Sequence, residues 1–217
     1  TAALVTEASK VSAGSALVVI GDDAYDAANN DNTIQATALS SIGNATTGAV
    51  TVSNAVKITG TQSAVTAALV TEASKVSAGS ALVTISDAAY DATNRDVSMN
   101  ASDLKSIGNA TTGTVTLTSL QRITGTQADV TAALVTEGSK VVAGTDVTIA
   151  NVTNAVTAAQ GQAIAATTNI AAAFTGGVED SASNLYSTNT NAITNNFSAV
   201  KTEDSDVDVT ISDADFS

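Results

Sequence analysis

The 217-residue chain has no proline, cysteine, histidine or tryptophan, and only one methionine, three phenylalanines and three tyrosines. Without cysteine and histidine it lacks the usual ligand sets for zinc, iron–sulfur clusters, haem and blue copper. Ser-His-Asp and Cys-His catalysis are closed to it, and no disulfide can cross-link the fold. Basic residues are also scarce: 8 Lys and Arg stand against 21 Asp and Glu, for a net charge of −13. That balance repels phosphate backbones, so no nucleic-acid partner is expected. No apolar run approaches the ~20 residues of a membrane helix, so no membrane insertion is expected either. Residues 1–20 lack the basic start and long apolar stretch of a signal peptide.

What is present is pattern. Hydrophobic residues make up 44% of the chain, and Val, Ile, Leu and Thr fall in short runs. That is too apolar for an ordinary disordered segment. The segment from Thr1 to Val18 recurs unchanged from Thr66 to Val83. Ser41-Ile42-Gly43-Asn44-Ala45-Thr46-Thr47-Gly48 recurs from Ser106 to Gly113, and Ile58-Thr59-Gly60-Thr61-Gln62 from Ile123 to Gln127. Every offset is 65 residues, and residues 1–65 match 66–130 at 44 of 65 positions. A third copy starts at Thr131 and keeps 12 of 14 residues to Gly144, changing at Gly138 and Val142. Val209-Thr210-Ile211-Ser212-Asp213-Ala214 echoes Val83-Thr84-Ile85-Ser86-Asp87-Ala88. Motifs are therefore interrupted at both ends, where a solenoid needs caps, and the expectation is a window on a longer tandem array.

Within one repeat, strands are expected at Ala16–Ile20, Thr33–Ala36, Ala49–Ser53 and Val56–Thr59. Asp22–Ala28 reads as a helical turn with acids at its start. Leu39 and Ile42, three apart, predict a short helix ended by Gly43 or Gly48. Thr61 reads as an N-cap, with Val65 and Leu69 lining the helix that follows. Between strands at Val147–Ile149 and Val207–Ile211, residues 151–200 read as more helical, notably Ala158-Ala159, Ala171–Ala173 and Val178–Leu185. The predicted fold is mainly β with short helices, a repeat solenoid with parallel β-ladders. The alternative is a string of small β-sandwich domains. The organisation is repeat 1 (1–65), repeat 2 (66–130) and a divergent repeat 3 (131–217).

These residues resemble the repeats of very large secreted and cell-surface proteins of aquatic bacteria, marine cyanobacteria in particular. The resembling pieces are Val83–Ala88, Ile107–Thr116, Ile123–Leu134 and Glu179–Leu185. The resemblance implies an extracellular or cell-surface role in adhesion, a surface layer, a filament or a motility-associated coat. It also implies secretion by a type I system with a C-terminal signal. It supplies no catalytic residues, and the Gly- and Asp-rich nonapeptides of calcium-binding repeats are missing.

Candidate sites are few. Asp204, Asp206 and Asp208 alternate, so on a strand they would share a face and could bind Ca²⁺ through oxygen. They also mimic the start of an EF-hand loop, with Asp215 at the twelfth position, but Val209 replaces the required glycine. A solvated acidic face is the competing reading. Asp22, Asp23, Asp26 and Asp31 cluster in the first copy, and Asp87, Asp91 and Asp96 in the second. Helix-start charges and solubility account for them better than a metal does. Paired carboxylates could serve a glycosidase, but Tyr25, Tyr90 and Tyr186 are too few for a sugar cleft. Tyr25 and Tyr90 share a repeat position and read as structural, so no enzyme is expected. Thr114, Thr116 and Thr118 alternate as on an ice-binding face, but the first copy has Ala49, Thr51 and Ser53. Asn-x-Ser/Thr sequons at Asn44, Asn100, Asn109, Asn151 and Asn196 are what chance gives in this composition. The expectation is a structural module of an extracellular filament, sheath or giant surface protein, with itself as partner. The alternative is an adhesin spacer, stiffened by Ca²⁺ and touching cell surface or glycan. The remote one is an ice-binding solenoid.

Overall fold

The computed structural model describes residues 13–71, 76–91, 93, 98–136, 141–142, 148–167 and 171–213. Gly138, Gly144, Val147, Asp96 and Asp215 lie outside the described residues. The first half of the chain forms β1 (Val18–Ile20), β2 (Thr33–Gln35), α1 (Ala36–Asn44), β3 (Val50–Val52), β4 (Lys57–Gly60) and α2 (Gln62–Leu69). Next come β5 (Val76–Ser77), β6 (Leu82–Ile85), β7 (Ser98–Asn100), α3 (Ala101–Ala110), β8 (Val115–Leu117), β9 (Gln121–Gly125) and α4 (Gln127–Val130). A π-helical turn, Thr131–Val135, continues α4. Then follow β10 (Val141–Val142), β11 (Thr148–Val152), α5 (Ala158–Ala165), β12 (Ala171–Phe174), β13 (Val178–Asp180) and α6 (Ala182–Leu185). The last elements are β14 (Tyr186–Ser187), β15 (Ala192–Ile193), α7 (Asn195–Glu203) and β16 (Val209–Ile211). Among the described residues the chain is mixed α/β, with several parallel sheets and seven short α-helices.

The chain divides into two compact units. The first comprises Thr1–Ala88, Asp103–Thr118 and Gly138–Val142. It holds a three-stranded sheet, β1-β3-β5, and a five-stranded sheet in the order β10-β8-β6-β4-β2, parallel throughout. Strand alternation sets the core: Val50 and Val52 are buried around exposed Thr51, and Val115 and Leu117 around exposed Thr116. Leu39 and Ile42 are buried on α1, as their spacing predicts, together with Ala36 and Gly43. Gly43 lies inside that helix rather than ending it. On α2, Val65, Ala68 and Leu69 face inward, and α1 packs on α2.

The second unit comprises Ala89–Ser102, Ser119–Glu137 and Ala143–Ser217. Its main sheet has the order β12-β11-β9-β7, with Met99, Ile123, Ala150 and Ala172 paired into one buried row. β13 pairs with β16 in parallel, and α5 packs on α7. The one antiparallel ladder among the described residues is β14–β15. Antiparallel pairing is the rule in a sandwich, so these ladders do not have the pairing of the alternative reading.

Three local expectations are corrected. Asp22–Ala28 is not helical: Asp26 bonds the amide of Ala28 (2.9 Å) and the side chain of Asn29 (2.7 Å), which closes a turn instead. Asn30 and Asn32 then take left-handed conformations (φ 54° and 60°), which asparagine tolerates. Ala171–Ala173 is strand, because its neighbour β11 supplies a ladder that overrides alanine's helix propensity. Val178–Leu185 is strand then a single helical turn, divided at the Ser181 N-cap.

The repeated Asn-Ala-Thr-Thr-Gly segment acts as a clamp. Buried Thr111 donates to the carbonyl of Ala81 (2.5 Å) and accepts from the amide of Gly113 (3.0 Å). Thr46 does the same to Ala16 (2.7 Å) and Gly48 (3.0 Å). Thr111→Val keeps the shape and removes the hydroxyl, leaving both backbone groups short of a partner. It is expected to cost about 1–2 kcal/mol in urea unfolding.

Candidate functional site

Four helix starts, those of α2, α4, α5 and α6, share one plan. Thr61, Thr126, Thr157 and Ser181 are N-caps whose hydroxyls accept from the amides of Ala64, Asp129, Gln160 and Asn184. An N-cap satisfies only part of a helix start. The first helical amide in each case bonds a side chain some 20–30 residues further on. Gln62 N–H donates to Asp87 Oδ2 (2.6 Å) and Gln127 N–H to Asn154 Oδ1 (2.5 Å). Ala158 N–H donates to Asp180 Oδ2 (2.9 Å) and Ala182 N–H to Asp213 Oδ2 (2.7 Å). A backbone bond precedes each cap: Ser86 to Gly60 (2.9 Å), Thr153 to Gly125 (3.0 Å), Glu179 to Val156 (2.8 Å) and Ser212 to Asp180 (3.0 Å). The registers agree as well. Gly60 faces Ile85, Gly125 faces Val152, Val156 faces Val178, and Asp180 faces Ile211. One unit, a paired residue followed by an N-capped helix and locked by a later strand, is therefore built four times.

Sequence reasoning misses this role. Asp87 and Asp213 sit in the repeated Ser-Asp, directly after Val-Thr-Ile. That recurrence is visible, but an acid following a strand also fits a charge at the start of its own helix. Only the fold shows that each caps a different helix.

Asp180 is the most engaged of these side chains. Besides Ala158 N–H, its carboxylate accepts from Ser181 N–H (2.9 Å) and Asn184 Nδ2 (2.8 Å). Burial pushes this carboxyl up, but the bonds from Asn184, Ala158 and Ser181 outweigh it and hold it below its ordinary value.

The expected metal trio is not on one strand. Asp204 ends α7 and its Oδ2 accepts from Phe174 N–H (2.7 Å). Asp206 lies in a turn and accepts from Ser205 Oγ (3.2 Å). Asp208 precedes β16, and its carbonyl accepts from Val178 N–H (2.7 Å). Among the described residues no three metal-ligating side chains are gathered. Asp26 of the first-copy cluster is engaged in its own turn.

The tyrosines occupy equivalent places. Lys57 stands over the Tyr25 ring (4.9 Å to the centroid) and Arg122 over the Tyr90 ring (5.9 Å). The amides of Tyr25 and Tyr90 donate to Ala55 and Leu120, again 65 residues apart. Tyr186 bonds Asn191 (2.7 Å) as Tyr25 bonds Asn30 (3.0 Å). Thr114, Thr116 and Thr118 are exposed, but the column across the sheet runs Gln35, Thr59, Thr84, Thr116, Val142 and is mixed.

Among the described residues, large apolar side chains are exposed at and just before β1, on β16, and also at Val142 of β10, Tyr186 of β14 and Ile193 of β15. Leu17 is 78% and Val19 68% exposed, and Val209 and Ile211 are 43% and 47% exposed. At the positions of β6 equivalent to Val209 and Ile211, Val83 and Ile85 are 1% exposed. Beside β1 lies a groove of about 810 Å³, lined by Val18, Ile20, Asp22, Ile34, Ala38 and Ile42 among others. No helix among the described residues is long and apolar enough to cross a membrane. Compared with protein-family models, curated proteins and solved structures, the chain has no match.

Proposed function

We propose that the chain is a structural repeat module of an extracellular filament, sheath or large cell-surface protein, built as a solenoid. In this reading strands pair in parallel from one repeat to the next, and the partner is more of the same repeat. The protein then works mechanically, and no residue has a catalytic role.

One observation carries the proposal. The pairing that joins residues of successive repeats, β4 with β6, has the same register and the same carboxylate cap as β13 with β16. A joint that recurs with its register intact can be extended along an axis, as stacked repeats require. Edge strands with exposed apolar side chains, as at β1 and β16, favour pairing with further strands. The missing prolines agree, since each would remove a ladder hydrogen bond.

Negative-stain electron microscopy and sedimentation velocity over a concentration series test the proposal. Rods or fibrils that lengthen with concentration are expected. A compact monomer at every concentration would overturn the filament reading.

A further inference from the structure

We draw no further inference here: the strongest candidate, the cleft beside the β14–β15 hairpin walled by the exposed ring of Tyr186 and by Ser183, Thr188 and Thr194, carries none because nothing in the structure shows what covers it.

Discussion

Gly113→Ala is expected to destabilise the chain by about 3 kcal/mol, a fall in thermal midpoint on the order of 10 °C for a protein of this size. A Cβ at Gly113 would overlap the backbone of Ala81 and Ser80. Backbone cannot rotate away as a side-chain tip can. Separation would stretch the two bonds that close the clamp, Thr111 Oγ1 to Ala81 and Thr112 N–H to Gly79. Gly79 itself has φ +52°, so the partner turn has little room to re-form. Gly21→Ala is the matched comparison: its Cβ meets nothing within 4 Å. It should be neutral or stabilising by about 0.5 kcal/mol through the unfolded chain. Urea unfolding of both variants checks the pair. A loss below about 1 kcal/mol at Gly113 would mean that the clamp yields.

Asp180→Ala should cost about 3 kcal/mol at neutral pH. Asp180 is 8% exposed, and its carboxylate accepts three hydrogen bonds, one of them from the first amide of α5. Removing it leaves that amide and Asn184 without their acceptor. The loss should depend on pH with a definite sign. Bonds from Asn184, Ala158 and Ser181 outweigh burial and keep the folded carboxyl below its ordinary value. A carboxyl depressed in the folded state adds stability above its unfolded pKa, and that stability disappears as pH falls through the folded pKa. The gap between the wild-type chain and Asp180→Ala should therefore be constant from neutral pH down to about pH 4 and narrow below it. Urea midpoints from pH 7 to pH 2 measure this. A gap that stays constant to pH 2 would contradict it.

Local patterns are readable where a residue's neighbours are close in sequence. Leu39 and Ile42 on one helix face, Val50 and Val52 on one strand face, and Thr61 as an N-cap all follow from spacing alone. Ala171–Ala173 is not readable, because alanine favours helix and only the partner strand makes it extended. The loop at Asp22–Asn32 misleads because an acid at a helix start and an acid closing a turn look alike in sequence. Asp204, Asp206 and Asp208 share a face only if the segment is a strand. It is instead the end of a helix and a turn.

The absence of proline, the 65-residue offset and the alternation of Val with Thr belong to residue order alone. They determine short unbroken strands, capped helices and a unit that recurs, because backbone donors and side-chain periodicity are local properties. Tertiary structure decided the rest. It chose which helix each aspartate caps, since a carboxylate satisfies whichever amide the fold brings to it. It also made one motif buried at Val83, half-buried at Val18 and open at Val209, since burial belongs to the neighbours a strand has rather than to the strand.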